Sequence, residues 1–252
     1  KERGITEKSI KDWQLGYAPD SWDNLTKFLT KRTFSQGAII SSGLALPSQR
    51  QGLYDRFRKR IIFPIRNISG DVVAFSGRIF GEGEPKYLNS PDSLIFNKSN
   101  NVFGLDLAKT EIKKANQAVL VEGNLDVISS YQVGIKNVVA PLGTALTEKQ
   151  LSLIKRFSDN LIISFDQDKS GVAAAKRAIE MAESVGMNIR LTSFAEKDPD
   201  DLIRKNPALW KRAIAEAVPI YDYIIDKAVK TYGTTTPEGI RNVTSEVAEV
   251  LA

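Results

Sequence analysis

Three pairs of carboxylates, each directly after an apolar stretch, are the residues of this chain best suited to chemistry. The pairs are Glu122 with Asp126, Asp166 with Asp168, and Asp198 with Asp200. In a parallel sheet the carboxyl ends of neighbouring strands meet at one edge, where ligands collect. Six carboxylates gathered there would raise one another's pKa values unless a cation were present. Because hard cations prefer oxygen ligands, the pattern predicts a site for two or more Mg²⁺ or Mn²⁺ ions.

Each pair taken alone also has an ordinary structural explanation. Two aspartates spaced as Asp-x-Asp after a strand are more often an Asx turn or a helix cap than a metal site. Asp200 or Asp201 could cap the helix that begins at Leu202. Glu122 and Gly123 could form a simple strand-to-helix turn. Three pairs at successive strand ends, in a chain without His or Cys, favour the metal site.

Composition narrows the possible chemistry and the class of protein. The chain has 252 residues, of which 42% are hydrophobic and 26% charged, with neither Cys nor His. These two absences exclude thiol nucleophiles, Cys/His zinc sites and a histidine base within this chain. No apolar run is long enough for a membrane span and no signal-peptide pattern opens the chain, so we expect a cytoplasmic protein. A sequence that opens on Lys1 is expected to be a fragment.

Cations gather upstream of the carboxylates. Lys and Arg number 35 against 30 Asp and Glu, which gives a formal net charge of +5. Six of them lie between residues 50 and 66, and three more continue this basic track downstream: Arg50, Arg56, Arg58, Lys59, Arg60 and Arg66, then Arg78, Lys86 and Lys98. A positive surface beside an acidic metal site suits an enzyme that acts on a polyphosphate, because the cations hold the phosphates. A solvated face of a helix or strand is the plainer alternative.

The hydrophobic pattern that must position these residues indicates an α/β fold. The first half predicts short helices, one opened by Thr6 and one capped at 20–22, then a β-hairpin with its turn at 67–71. From residue 116, short apolar strands alternate with helices, which indicates a mainly parallel sheet with helices on both faces. The strands are predicted at 118–121, 137–140, 161–165 and 188–194.

This pattern predicts three subdomains. Residues 1–115 form a basic N-terminal α+β subdomain, 116–200 a metal-binding subdomain, and 201–252 a C-terminal helical subdomain. Residues 207–230 are predicted to be helical, with Pro207 and Pro219 suited to first-turn positions.

Several motifs in fixed order resemble those of known nucleic-acid enzymes. The segments VEGNLDV (121–127), FDQDKSG (165–171) and DPDDLI (198–203) resemble the metal-binding signature of the TOPRIM fold, which bacterial primases, topoisomerases and some nucleases share. Further motifs resemble a bacterial DnaG-type primase, and they lie at 15–19, 54–66, 75–78, 85–91, 96–98 and 142–147. The family often has Tyr-Met at 124–125 and Gly at 167. This chain has Asn124 and Leu125 at the first two positions and Gln167 at the third, and neither change removes a carboxylate.

The resemblance implies the catalytic core of a DNA primase, with a central TOPRIM subdomain. It implies synthesis of short RNA primers on single-stranded DNA for replication, by metal-dependent nucleotidyl transfer. The catalytic residues would be Glu122, Asp126, Asp166 and Asp168, and all six paired carboxylates would be metal ligands or lie close to them. The groove for template, primer or nucleotide would be lined by Arg56, Arg58, Arg78, Lys86, Tyr87, Asn89 and Lys98.

Three of these groove residues have alternative explanations. Asn89 is the candidate for contacting a ribose 2′-hydroxyl, because an amide can both donate and accept a hydrogen bond. It could also be a turn residue before Ser90. Lys86 could be a plain loop lysine, and Tyr87 could serve packing only.

The resemblance also implies partners. They are a single-stranded DNA template, NTPs and the RNA primer, with a monomeric core working in the bacterial cytoplasm at the replication fork of the nucleoid. The family's zinc-binding and helicase-binding domains lie outside these residues, so zinc, the replicative helicase and the single-strand-binding protein are expected only for the longer protein. Two alternatives remain at this point: a nuclease- or topoisomerase-type TOPRIM fragment, and a non-catalytic DNA-binding scaffold.

Overall fold

Two larger sheets and one small hairpin organise the chain, of which the computed structural model describes residues 4–49, 52–143, 146–165, 177 and 179–251. The first sheet is antiparallel and consists, in spatial order, of β1 (Gly16–Ala18), β4 (Arg60–Arg66), β5 (Val72–Ile79) and β6 (Tyr87–Asn89). The small hairpin consists of β2 (Ala45–Pro47) and β3 (Leu53–Asp55).

The predicted hairpin between β4 and β5 is confirmed. Its turn is formed by Asn67, whose side-chain oxygen accepts hydrogen bonds from the backbone N–H groups of Ser69 (2.9 Å) and Asp71 (3.0 Å). An Asn that bonds to backbone a few residues ahead is a common way to close such a turn.

Four helices accompany this half of the chain. They are α1 (Glu7–Asp12), α2 (Asn24–Lys31), α3 (Gln36–Ser41) and α4 (Leu105–Ala115), with a 3₁₀ turn at Lys98–Asn100. As predicted, Thr6 opens α1, because its hydroxyl accepts a hydrogen bond from Ser9 N at 3.1 Å. This satisfies a backbone donor that the first helical turn leaves without a partner.

The predicted cap of α2 at residues 20–22 is wrong. The helix begins at Asn24 with Asp23 as its N-cap residue. Its capping hydrogen bonds come from Asp55, whose carboxylate accepts from Leu25 N (2.7 Å) and Thr26 N (2.8 Å). Asp55 is only 3% exposed. The carboxylate of Asp55, distant in sequence, thus accepts the hydrogen bonds that a neighbouring N-cap side chain would normally accept. The pattern of the residues around α2 could not predict this contact.

The second sheet is mainly parallel, as the sequence predicted. Its spatial order is β11 (Val218–Pro219), β10 (Asn188–Leu191), β9 (Asn160–Ser164), β7 (Ala118–Val121) and β8 (Val138–Val139). All neighbouring pairs are parallel except β10 with β11. The predicted strand at 188–194 is shorter than expected, because its pairing ends at Leu191.

Helices cover both faces of this sheet, which explains why β7 and β8 are apolar at every position. The first face, with Val119 and Ile162, packs against α5 (Asn124–Gln132) through Ile128. The second face, with Leu120 and Ile163, packs against α4 and against α6 (Glu148–Lys155). The predicted capping box of α6 is confirmed, with Thr147 and Gln150 bonded to each other's backbone.

The antiparallel sheet shares a hydrophobic core with the parallel one. Phe63 and Ile65 of β4 are buried in the same cluster as Val119 of β7 and Ile128 of α5. The first half of the chain is therefore packed directly on the helix-covered face of the second. The division into three subdomains stays a prediction.

The last part of the described chain is helical. It contains α7 (Pro199–Lys205), α8 (Pro207–Ala215), α9 (Ile220–Tyr232) and α10 (Pro237–Leu251). Pro207 lies in the first turn of α8, as predicted. The prediction for Pro219 is wrong, because this residue pairs in β11 and precedes α9. None of the described helices combines the length and the apolar character that crossing a membrane requires.

We expect Asp55→Ala to lower the free energy of unfolding by about 2 kcal/mol, because it leaves two backbone donors of α2 without their acceptor. Denaturant unfolding measures this effect. Asp23→Ala is the matched control: among the described residues the Asp23 side chain makes no capping hydrogen bond, so its loss should cost no more than about 0.5 kcal/mol. Equal losses for the two variants would contradict the assignment of Asp55 as the cap.

Candidate metal centre and nucleic-acid interface

Three carboxylates lie together at the start of α7. Asp198, Asp200 and Asp201 each offer one oxygen atom, and these atoms lie within 4.8 Å of one another. The sequence predicted Asp198 and Asp200 as ligands and treated Asp201 only as a possible helix cap. We call these three residues the acidic cluster.

The capping role belongs to Asp198 and not to Asp200 or Asp201. Asp198 has an extended backbone, and its Oδ1 accepts a hydrogen bond from Asp201 N at 2.7 Å. Pro199 then occupies the first helical position, where its missing N–H costs nothing. Because a carboxylate has two oxygens, Asp198 can cap α7 with one of them and bind a cation with the other.

Asp200 is the buried member of the acidic cluster, with 2% exposure. Its Oδ1 accepts a hydrogen bond from the Ser129 hydroxyl at 2.5 Å, and its Oδ2 lies 3.4 Å from Arg204 Nε. Arg204 also forms an ion pair with Asp201. A guanidinium thus offsets part of the negative charge of the cluster, which is how closely spaced carboxylates are tolerated.

Asp126 connects the acidic cluster to the helix after β7. Its Oδ1 accepts a hydrogen bond from Asp200 N at 3.1 Å, and its Oδ2 accepts one from Gly123 N at 3.0 Å. A Cβ atom at Gly123 would lie 2.9 Å from Asp126 Oδ2, so a larger residue there would displace the carboxylate of Asp126. Asp126 therefore positions backbone as well as carrying charge.

Glu122 directly follows β7 and is half-buried at the carboxyl end of that strand. Asp166 and Asp168 lie outside the residues that the structure describes. Of the six predicted ligands, a hydrogen bond joins Asp126 and Asp200, and Asp198 lies with Asp200 in the acidic cluster.

The donor set fits a hard divalent cation. All the candidate ligands are carboxylate oxygens, which suit Mg²⁺, Mn²⁺ or Ca²⁺ better than softer metals. The chain has no thiolate or imidazole that would favour zinc. The cluster can therefore bind a metal ion through oxygen.

The basic track does not present all its cations to solvent. Arg56 donates from Nε (3.2 Å) and Nη2 (2.9 Å) to the carbonyl of Asn89, and burial lowers the pKa of its guanidinium. Arg60, next in the cationic run, is buried and donates from Nη1 to the carbonyls of Gly77 and Pro85. Burial and the charge of Arg58 lower the pKa of Arg60. These two arginines stabilise the antiparallel sheet from within.

Two other cations of the track lie over aromatic rings. The Arg58 guanidinium is 4.0 Å from the centre of the Trp22 ring, and Arg78 is 5.7 Å from that of Tyr87. Trp22 is 66% exposed. An exposed indole beside arginine is a surface on which a nucleic-acid base can stack. Sequence reasoning missed Trp22 as a binding candidate because it assigned residues 20–22 to a helix cap.

The remaining predicted groove residues lie on β6, directly before it and in the segment after it. Lys86 is exposed and Lys98 is half-buried. Asn89 lies in β6, paired with Ser76, so it is not a turn residue. Its Nδ2 donates to the carbonyl of Leu142 at 3.0 Å, and its Oδ1 is buried without a partner among the described residues. Asn89 thus bonds β6 to the segment that follows β8.

Comparison with known proteins agrees with this architecture. Residues 1–109 match the family described as DNA primase catalytic core, N-terminal domain, and residues 119–203 match a Toprim-like family. The DNA primase of Clostridium acetobutylicum is 38% identical over 253 residues, which cover 99% of this chain and 42% of that protein. The chain therefore spans about two fifths of the length of that curated relative.

Solved structures of primase domains superpose on nearly the whole chain. A DNA primase domain from Pseudomonas aeruginosa is 35% identical, with a TM-score of 0.84 over 99% of this chain and 80% of that one. A DnaG primase catalytic domain bound to single-stranded DNA is 32% identical, with a TM-score of 0.82 over 97% of this chain and 80% of that one. On the strength of these matches, the chain belongs to the DnaG-type DNA primase family, in the region of its catalytic core.

Proposed function

We propose that the chain is the catalytic core of a DNA primase, which synthesises short RNA primers on single-stranded DNA for replication. The observation that carries the proposal is the hydrogen bond from Asn89 to Leu142, because it joins β6, which contains Tyr87 and directly follows Lys86, to the carboxyl edge of the parallel sheet. The acids follow strands of that sheet. Family membership supports the proposal, as does the single-stranded DNA in a related structure.

The proposed reaction is nucleotidyl transfer. The 3′-hydroxyl oxygen of one nucleotide attacks the α-phosphorus of the next, a new P–O bond forms, and pyrophosphate leaves with the electrons of the bond that breaks. The carboxylates would hold a divalent cation, which would lower the pKa of the hydroxyl and stabilise the charge on the phosphate oxygens, while the proton of the hydroxyl passes to solvent. The proposed ions are Mg²⁺ or Mn²⁺.

The carboxylates have two roles in this proposal. The proposed ligands are Glu122, Asp126, Asp166, Asp168, Asp198 and Asp200, with Asp201 added because it belongs to the acidic cluster. Asp126 and Asp200 also position the others: Asp126 accepts hydrogen bonds from the backbone N–H groups of Gly123 and Asp200, and Asp200 accepts one from the Ser129 hydroxyl.

The template is proposed to lie along four accessible members of the basic track, of which Lys86 is exposed and the other three are half-buried. Arg58, Arg78, Lys86 and Lys98 contact backbone phosphates, while Trp22 and Tyr87 stack on bases. Such contacts bind single strands without selecting a sequence. The replicative helicase and the single-strand-binding protein stay predictions for the longer protein.

We expect Asp198→Asn to lower primer synthesis at least about tenfold, because it removes a charged ligand. Asn caps helices as well as Asp does, so the fold should stay intact. The assay measures oligoribonucleotides made from NTPs on single-stranded DNA with Mg²⁺ or Mn²⁺.

Glu122→Ala and Asp166→Ala should abolish synthesis. Asp159→Asn is the control, because its side chain is 66% exposed, and it should leave synthesis unchanged. Full activity of Asp198→Asn would refute its assignment as a ligand, and degradation of the template would favour a nuclease.

Asp200→Ala tests whether the buried contacts of Asp200 stabilise the fold independently of any metal ion. We expect it to lower the free energy of unfolding by about 2 kcal/mol without any metal, because Ser129 and Arg204 lose a buried partner. Denaturant unfolding in EDTA measures this loss, with Asp198→Asn as the control that keeps its capping bond. If Asp200→Ala is as stable as the parent, the buried bonds of Asp200 do not hold the cluster together.

Trp22 and Arg58 should contribute differently to the binding of single-stranded DNA. Arg58→Ala should reduce the slope of log affinity against log salt by about 0.7, since one phosphate contact is lost. Trp22→Ala should weaken binding about tenfold with an unchanged slope, since stacking involves no counterion release. Fluorescence anisotropy across a salt series measures both, with Tyr232→Ala on α9 as the control. An unchanged affinity for Trp22→Ala would remove it from the interface.

A further inference from the structure

Leu94 and Ile95 form the tip of a tight turn that projects from the protein. Leu94 is fully exposed and Ile95 is 67% exposed. They are the two central residues of a turn closed by Ser93 N to Phe96 O (2.8 Å) and Phe96 N to Ser93 O (3.4 Å). Gly, Asn, Asp, Pro and Ser are the usual residues in such positions. Two adjacent aliphatic side chains are unusual at such positions, and since Leu94 gains no burial from the fold and Ile95 little, they point to an external partner.

The turn is held firmly on both sides. Phe96 is buried in the core that the two sheets share. Lys98 N donates to Asp92 Oδ1 at 3.0 Å, which closes the segment around the turn. The side-chain amide of Gln150 then donates to the carbonyl of Lys98 at 2.9 Å. A tip fixed in this way can contact a ligand without first losing conformational freedom.

Both ends of this segment attach to the carboxyl edge of the parallel sheet. Before the turn, Asn89 bonds to Leu142, which follows β8. After the turn, Ser99 accepts a hydrogen bond from the hydroxyl of Thr147, the N-cap residue of α6. The tip therefore belongs to the edge of the molecule at which the proposed reaction takes place.

The charge of the segment favours a polyanion. Lys86 precedes the turn and Lys98 follows it, and in the described part of the chain neither forms an ion pair. Between residues 86 and 101 the acid is Asp92, whose carboxylate accepts the hydrogen bond from Lys98 N. Aliphatic side chains flanked by cations suit nucleic acid, because Leu and Ile can pack on the face of a base while the cations hold phosphates.

We propose that Leu94 and Ile95 pack on the terminal base pair of the short RNA–DNA duplex that primer synthesis creates. This inference rests on the proposed function, since the duplex is its product. The tip would act as a positioning element that holds the end of the duplex. Single-stranded template alone offers no terminal base pair, so the tip distinguishes the two forms of nucleic acid.

The test compares the parent with the double variant Leu94→Ser/Ile95→Ser. The probes are a DNA strand alone and the same strand paired with a short RNA, with 2-aminopurine in the terminal base pair. We expect the affinity for the duplex end to fall about tenfold, as apolar contact is lost, and the fluorescence response of 2-aminopurine to disappear. Affinity for the single strand should stay within about twofold, because the phosphate contacts are unchanged.

Two further variants serve as a control and as a test of rescue by an aromatic side chain. Leu209→Ser/Ile240→Ser removes two other exposed aliphatic side chains, one on α8 and one on α10, and should change neither affinity. Leu94→Trp/Ile95→Ser should recover duplex binding and the fluorescence response, because an indole also stacks on a base pair. Thermal melts of all variants check that the fold is intact.

Two outcomes would overturn the inference. Unchanged duplex affinity would mean that the tip does not contact nucleic acid, and a protein partner would then be the better explanation. An equal loss for single strand and duplex would mean that the tip does not recognise a terminal pair. Primer synthesis by the parent is measured separately: its absence would refute the proposed function, whereas the binding data would still decide the role of the tip.

Discussion

The candidate site depends on the two hydrogen bonds that the buried carboxylate of Asp126 accepts. One comes from Gly123 N, just before α5, and the other from Asp200 N, in the first turn of α7. A single side chain thereby joins the helix that follows β7 to the helix that lies beyond β10. Because charged acceptors form strong hydrogen bonds when buried, this bridge holds the carboxylates of separate chain segments at one edge of the sheet.

The positions of the cations depend on a second set of contacts. Phe63 of β4 lies in the same core as Val119 of β7, so the antiparallel sheet is packed on the parallel one. Beside this core, the half-buried Arg56 bonds to the carbonyl of Asn89, and the Asn89 side chain bonds to Leu142. Arg56, which the sequence predicted as a residue of the nucleic-acid groove, thus helps to fix the distance between the basic track and the acidic residues.

Much of the fold could be predicted from short-range patterns. The all-apolar strand Ala118–Val121, the turn at Asn67 and the capping box at Thr147 were each predicted correctly, because each depends on residues only a few positions apart. The errors have a common cause. The cap of α2 comes from Asp55, and Pro219 pairs with β10, so both depend on partners that local sequence does not contain.

The sequence by itself determined which side chains could bind a metal and that several of them follow strands of a parallel sheet. It also determined the family, through motifs whose order and spacing are specific. Only the tertiary structure decided which charges are exposed. Asp200 is buried, and Ser129, 71 residues away in the sequence, donates a hydrogen bond to it. Trp22, by contrast, is exposed and lies beneath Arg58. Residue type and spacing set what a side chain can do, but its solvation is set by whatever the fold packs against it.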